Sequence, residues 1–427
     1  MLDIKFIRQN IEEVKKSIAD RRMNVDLDEL LGLDEKRRSL ILKIEEGRAL
    51  RNKKSDTKPS AEEIEKLRSL GNEITAMEKE LGDLEGYHIE LLKKVPNMIH
   101  PDVPRGGEED FRVVETKGIP TKFDFEPKDH ETLMTDLNLI DFERGAKVAG
   151  KKFYFSKNNL VRLNQALINY GIDIVTRHGY VLMETPDLAK DSILSGVGFN
   201  PRGPETQVYS VENSDLSLIG TAEITLGGYH ANEILDLSKG PKKYVALSHC
   251  YRTEAGSYGR ESKGLYRVHQ FTKLEMFIYC KPEDSDKMHL EILNIEKEII
   301  DGLGLPYRII DIASGDLGAS AYKKFDIEAW MVMRPSEERG STEASRPNVK
   351  GSYGEITSTS NCTDYQTRRL NIKYRQKDGD TEFAHTLNGT AIVSSRFPIA
   401  IVENFQTKDG HIVIPKALHK YTGFKEI

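Results

Sequence analysis

Three arginines stand where phosphate chemistry would need them. Arg252 and Arg267 bracket a glycine-bearing segment, YRTEAGSYGRESKGLYRV, and Arg396 lies far downstream in VSSRFPIAI. A guanidinium is the side chain best matched to phosphate oxygens, because its planar fork donates two bonds at once. Near the first two stand Glu254, Phe271 and Glu275. An aromatic ring can stack on a base, and a carboxylate can hold an ammonium or a base amino group. Together these groups suit a nucleotide and an amine. An ordinary hairpin with solvated charges looks similar locally. The length of the loop, the placement of the arginines and the third arginine favour a site.

The elements that position these groups follow from the flanking patterns. An apolar run, Tyr244 to Leu247, leads in, and Leu274, Met276, Phe277 and Ile278 lead out. Between them Gly256, Gly259 and Gly264 mark a long loop, so the stretch 244–278 reads as two antiparallel strands. Alternation places Arg252 with Glu254, and Phe271 with Lys273 and Glu275, each set on one sheet face. Upstream, Thr221-Ala222-Glu223 follows an apolar strand. A hydroxyl and a carboxylate two residues apart share a strand face and suit an ammonium or a small hydroxylated substrate. Downstream, Glu355 points with Thr357, and Ser358 turns inward at the strand end. A strand ending at Leu387 gives way to Asn388-Gly389-Thr390 and then to a helix, with Arg396 near its N-terminal part. The turn Ser314 to Gly318 lacks the spacing of a phosphate loop.

The chain has 427 residues, net charge −6, 30% charged residues and mean hydropathy −0.51. One large domain or two to three modest ones are expected. No apolar run approaches the ~18 residues of a membrane span, so no membrane partner is expected. The N-terminus has no apolar signal core, which implies a cytoplasmic location, or an organellar one if a presequence has been removed. Cys250, Cys280 and Cys362 are scattered, so neither a disulfide framework nor a zinc site is expected. With the whole chain acidic, a nucleic-acid partner needs a locally basic surface.

Residues 1–100 supply one. Leu2 to Arg22 has apolar positions at helical spacing, followed by a break at 23–25. Leu27 to Lys54 reads as a long helix. Ser60 followed by Glu63 is a capping-box pattern that opens a second helix, which runs to Val95 with Ile64, Leu67, Ile74, Leu81, Leu84 and Leu91 on a heptad-like seam. Two such helices joined by a tight turn make an antiparallel arm, about 27–95, roughly 45 Å long at ~1.5 Å per residue. The seam is thin and the outer faces are charged, so the arm should project. Between Lys36 and Lys58 nine Lys/Arg against three acids give +6. Arg37, Arg38, Lys43, Arg48, Arg51, Lys53 and Lys54 are the candidate RNA contacts on this tip.

Prolines 96, 101 and 104 and Gly106-Gly107 mark a boundary, with a linker over 101–122. The remainder, 123–427, reads as a second domain. Leu160 to His178 is an amphipathic helix, followed by the strand-like Tyr180 to Met183 and Pro186. Residues 196–210 read as a mobile loop, and 334–350 as a polar, disordered surface insertion.

The ordered set resembles the class II aminoacyl-tRNA synthetases, in the form of the seryl-tRNA synthetases. YRTEAGS with GLYRVHQFTKLEMF is similar to motif 2 (about 244–278). The helix–strand–proline unit at about 160–186 resembles motif 1, and the segment at about 385–415 resembles motif 3. Thr221 and Glu223 match a TxE loop, and EITS matches the family's EISS with Thr357 for a serine. Thr390 stands where a serine is usual, Ser395 where a glycine is frequent, and the 334–350 insertion is longer than usual.

The resemblance implies an α+β fold: an antiparallel-sheet catalytic domain flanked by helices, with an N-terminal antiparallel coiled-coil arm that grips tRNA. It implies an ATP-dependent serine–tRNA ligase acting as a homodimer on L-serine, ATP and tRNA(Ser), with tRNA(Sec) a further candidate. Arg252, Arg267 and Arg396 are the implied catalytic residues. Thr221, Ala222, Glu223, Arg252, Glu275, Asn388 and Thr390 are the implied serine site. Arg252, Thr253, Glu254, Arg267, Val268, Phe271, Glu355, Ile356, Thr357, Ser358 and Arg396 are the implied ATP site, with Mg²⁺ on Glu355 and Ser358. The loop from Ala255 to Gly264 is implied to meet the acceptor end of the tRNA. Two rivals share the fold: a ligase loading a carrier protein, and a non-catalytic RNA-binding protein. The basic arm weighs against the first, and the intact set of Arg252, Glu254, Arg267, Glu355 and Arg396 against the second.

Overall fold

A computed structural model describes residues 1–52, 60–200, 207–254, 264–335 and 350–427. The expectations for Lys53, Lys54, residues 201–206 of the loop read over 196–210, the loop from 255 to 263 and the body of the 334–350 insertion lie outside the described residues. The chain forms two compact units, Met1–Met98 and Ile99–Ile427.

The first unit is helical: α1 Ile4–Gln9, α2 Ile11–Asp20, α3 Leu27–Arg51 and α4 Ala61–Lys94. The single helix read over 2–22 is two. At Asn10 the backbone leaves the helical region (φ −129°, ψ 39°), and its side-chain amide donates to the Phe6 carbonyl at 2.9 Å. A short polar side chain competing for backbone groups is what breaks a helix here. The capping box opens α4 as the pattern implies: Ser60 Oγ accepts from the Glu63 amide, and Glu63 accepts from the Ser60 amide. Leu40, Ile44, Ile74, Leu84 and Leu91 are buried, whereas Ile64 and Leu67 are exposed. The seam therefore thins toward the start of α4.

The second unit is built on one eight-stranded sheet. In chain order its strands are β1 Arg112–Lys117, β2 Val181–Glu184, β3 Lys242–Tyr251, β4 Gln270–Cys280, β5 Tyr307–Asp311, β6 Lys323–Pro335, β7 Lys350–Thr363 and β8 His385–Val393. Their spatial order is β1-β5-β6-β7-β8-β4-β3-β2, antiparallel except for the parallel pair β2–β3. The stretch read as a linker thus contains β1, which hydrogen-bonds to β5 as an edge strand. Among the described residues no helix is long and apolar enough to cross a membrane.

Helices α5 Asn158–Arg177 and α7 Ser285–Leu303 pack on one face of the sheet, with α6 Ala222–Gly228, α8 Tyr365–Leu370 and α9 Phe397–Asn404 completing the helical set around the site. Leu163, Leu167, Ile292, Ile299, Leu274 and Ile392 form the main core between α5, α7 and the sheet. Gly389 permits the close approach of α7. A Cβ there would meet Ile292 at 2.3 Å and Glu296 at 2.7 Å.

Two β-bulges shape the opposite face. Opposite the neighbours Ile327 and Glu328 of β6 stand Thr357 and Glu355 of β7, so Ile356 is the extra residue. Opposite Leu274 and Glu275 of β4 stand Ile392 and Thr390 of β8, so Ala391 is the extra residue. Each bulge reverses the inward–outward alternation beyond it.

Candidate active site

A cavity of about 360 Å³ lies on the sheet face away from α7. It gathers most of the residues singled out by sequence. Arg252, Glu254, Arg267, Val268 and Phe271 come from the ends of β3 and β4 and the segment between them. Glu275 comes from within β4, and Thr221 and Glu223 from the start of α6. Glu355, Ile356 and Ser358 come from β7, Asn388 and Thr390 from β8, and Arg396 from the start of α9. Ala222, Thr253 and Thr357 do not line it.

The local structure differs from the expectation at four points. Strand β3 ends at Tyr251, so Arg252 and Glu254 lie beyond the sheet rather than on its face. Glu254 takes a left-handed conformation, φ 52°, which is costly for a residue with a side chain, and its carboxylate pairs with Arg267 at 3.3 Å. Thr221 and Glu223 sit on a helix start, not a strand. Thr221 is the N-cap of α6, and its hydroxyl accepts from the Glu223 amide at 3.1 Å. Strand β8 continues through Asn388-Gly389-Thr390 to Val393, and Arg396 is the N-cap position of α9. Thr357 does not point with Glu355. The Ile356 bulge turns its hydroxyl to the far side, where it donates to Glu296 at 3.0 Å.

Two charged clusters occupy the cavity. In the first, Lys273 lies 2.6 Å from Glu275, and Thr390 donates to Glu275 at 3.4 Å. Beside them Glu223 is pushed up to about 7, first by burial and then by the Glu275 charge, against the pull of Lys273, Gln366 and Arg252. In the second, Arg396 lies 2.7 Å from the Glu355 carboxylate and also bonds its backbone carbonyl at 3.2 Å. Burial alone raises the Glu355 carboxyl, but Arg396, Lys324 and Arg252 outweigh it and hold it down at about 2. Burial disfavours the Arg396 charge, and Glu355 more than restores it. The Arg396 guanidinium covers the Tyr266 ring at 5.0 Å, and that of Arg252 covers the Phe271 ring at 5.3 Å. Among the described residues no three His, Cys, Asp or Glu side chains gather to hold a metal ion.

Sequence reasoning missed Lys273, Tyr266, Lys324 and Ser360 as cavity residues. Lys273 was visible in the alternation with Phe271 and Glu275. Ser360 became legible only once the bulge reset the parity of β7. Lys324 and Tyr266 arrive from a neighbouring strand and a 3₁₀ turn, with no local signal.

In the helical unit, the basic residues of α3 are largely paired. Arg37 meets Glu85 at 3.0 Å, Arg48 meets Glu78 at 2.7 Å, Lys36 meets Glu80 at 2.7 Å, and Arg38 meets the buried Asp34 at 3.1 Å. Part of the local +6 is therefore offset by Glu78, Glu80 and Glu85 of α4. Lys43 and Arg51 make no ion pair among the described residues.

Comparison with known proteins agrees with this geometry. Residues 1–99 match the model of the seryl-tRNA synthetase N-terminal domain, and residues 207–405 that of the tRNA synthetase class II core domain (G, H, P, S and T). The chain is 51% identical to a serine–tRNA ligase of Treponema denticola, covering 100% of both chains. It is 50% identical to a serine–tRNA ligase of Borrelia recurrentis, covering 100% of this chain and 99% of that one. The crystal structure of a Pyrococcus horikoshii seryl-tRNA synthetase complexed with ATP superposes with a TM-score of 0.89 at 38% identity, over 100% of this chain and 99% of that chain. The chain belongs to the seryl-tRNA synthetases, a family of class II aminoacyl-tRNA synthetases.

Proposed function

We propose that this protein activates L-serine with ATP and transfers it to tRNA(Ser), with tRNA(Sec) as a further substrate. The observation that carries the reading is the place of Arg252. It lines the same cavity as Glu223 of one cluster and Glu355 of the other, with its guanidinium over the Phe271 ring. A group so placed can hold two anions together, a substrate carboxylate and a phosphate, at the point where they must react.

In this reading the serine ammonium rests against Glu223 and Thr221. Its hydroxyl donates to Glu275, whose carboxylate Lys273 holds in place, and Thr390 closes the pocket beside it. Phe271 stacks on adenine. The serine carboxylate attacks the α-phosphorus, the bond to the bridging oxygen breaks, and pyrophosphate leaves. The substrate supplies the nucleophile, so the protein contributes position and charge: Arg252 at the reacting centre, Arg267 and Arg396 on the outer phosphates. In the second step the terminal ribose hydroxyl of the tRNA attacks the seryl carbonyl and AMP departs.

Glu355 and Ser358 fit a hard divalent cation, since Glu355 stays ionised and both offer oxygen to the cavity. A Mg²⁺ held there with ATP would supply positive charge against the phosphates. The exposed Val181 and Leu182 on the edge strand β2 support a homodimer formed through that edge. Lys43 and Arg51 are the arm residues best placed to meet RNA phosphates. A cytoplasmic location goes with a role in translation.

Amino-acid-dependent ATP–pyrophosphate exchange tests the reading, across serine, threonine, alanine and glycine. Exchange with serine alone is expected. Exchange with another amino acid overturns the substrate, and binding of ATP without any exchange overturns the enzyme.

A further inference from the structure

Gln366 lies on α8, just beyond the strand that carries Glu355, and is fully buried. Its side-chain nitrogen lies 2.7 Å from Glu223 Oε1 and 3.1 Å from the Val197 carbonyl oxygen. Its side-chain oxygen lies 2.7 Å from Thr386 Oγ1. The two ends of an amide are alike in shape, but here the chemistry permits one assignment. A carbonyl oxygen only accepts, so the group facing Val197 is the NH₂. Its other proton goes to Glu223, and the Thr386 hydroxyl must donate to the amide oxygen. The relay Thr386 to Gln366 to Glu223 therefore has one direction.

A donor aimed at a carboxylate favours its ionised form. A neutral donor does so without cancelling the charge. The other charged groups facing Glu223 are Lys273 and Glu275 from β4 and Arg252 beyond β3. Lys273 is engaged by Glu275. Charges on the neighbouring helices are engaged elsewhere. Arg368 holds Asp364, Arg369 donates to the Ser195 carbonyl, and Asp191 accepts from Ser217. An arginine at 366 would neutralise Glu223, and a leucine would leave its buried carboxyl without this donor.

We propose that Gln366 is a positioning residue for the α-ammonium of the amino-acid substrate. It acts through Glu223, fixing the orientation of the carboxylate and favouring its anionic form, and is itself locked by Thr386. The proposal rests on the reading of Glu223 as the ammonium site.

The test is serine-dependent ATP–pyrophosphate exchange from about pH 6 to about pH 9, with KM taken separately for serine and ATP. The parent is compared with Gln366→Leu, Thr386→Val, Glu223→Gln and the double variant Gln366→Leu/Glu223→Gln. In Gln366→Leu the KM for serine is expected to rise about 10- to 100-fold at neutral pH, the effect of losing one hydrogen bond to a charged group. The defect shrinks toward pH 9 as Glu223 ionises, and the KM for ATP stays in place. Thr386→Val frees the amide to turn and shifts the serine KM the same way by less. In the Glu223→Gln background, Gln366→Leu adds nothing to the serine KM. A strong Glu223→Gln defect with no pH-dependent serine defect in Gln366→Leu overturns this proposal alone, as does full additivity in the double variant. A silent Glu223→Gln overturns the ammonium reading and the proposal with it. Should Gln366→Leu not fold, Thr386→Val carries the same comparison.

Discussion

Glu355 and Thr357 are two residues apart on β7 yet face opposite sides of the sheet. The bulge at Ile356 sends Glu355 into the cavity and Thr357 to Glu296 beneath it. Glu296 is completely buried, and burial pushes its carboxyl well above the ordinary range. The two positions should therefore separate cleanly on mutation. Thr357→Val is expected to cost about 1–2 kcal/mol of stability, by denaturant midpoint, and to leave the KM for ATP within about twofold. Ser358→Ala is expected to weaken ATP use while leaving stability within about 0.5 kcal/mol. The reverse pattern would return Thr357 to the ATP site.

Glu275→Ala should damage serine use far more than ATP use. It removes the acceptor for the serine hydroxyl and leaves Lys273 buried without its partner. A site built to hydrogen-bond a hydroxyl can discriminate against its absence by as much as about 10⁴. Loss of at least about 100-fold in kcat/KM for serine is expected, with ATP binding by calorimetry little changed. Equal losses in both would sink the assignment.

Glu223 carries a cost that can be measured. Its folded value is raised from 4.5 to about 7 by burial and by Glu275. The folded state therefore resists its ionisation, and stability is lost as pH rises through that interval. The magnitude is about 3 kcal/mol at 1.36 kcal/mol per unit. Glu223→Gln should melt later than the parent at pH 8 and lose most serine-dependent exchange. A variant no more stable than the parent at pH 8 argues against the buried charge.

His289 should make the catalytic unit sensitive to acid. Burial lowers its pKa from 6.5 to about 4, and the neutral ring donates to the Thr359 carbonyl at 3.2 Å. The stability it allows is complete above the unfolded value and is lost as pH falls toward 4, by about 3 kcal/mol. His289→Gln keeps a donor and cannot titrate. Its unfolding midpoint should fall less than that of the parent between pH 7 and pH 5, by urea denaturation.

On the arm, removing residues 36–84 should spare adenylate formation and abolish tRNA charging. Lys43→Ala and Arg51→Ala should each weaken tRNA binding and reduce the salt dependence by about one phosphate contact. The paired Arg48 should matter less, since Glu78 already engages it. Charging at the parent rate without the arm would remove it from tRNA recognition.

The sequence by itself determined the kinds of group present and the elements that bear them. Guanidinium, carboxylate and aromatic types at fixed spacing implied a nucleotide and an amine. Period-2 and heptad patterns, proline breaks and the Ser60–Glu63 box located the hairpin and the arm, because these signals are local. Only the tertiary structure decided which side chains meet. The bulges at Ile356 and Ala391 reverse strand parity, and a bulge is set by the register of neighbouring strands rather than by the residues it displaces. The helix start at Thr221 overrode a strand reading because its hydroxyl found the Glu223 amide. Gln366 and Thr386 came to matter only through the packing that buries them against Glu223, a contact between residues 143 positions apart. Spacing reports what lies along the chain, and a binding site is made of what lies across it.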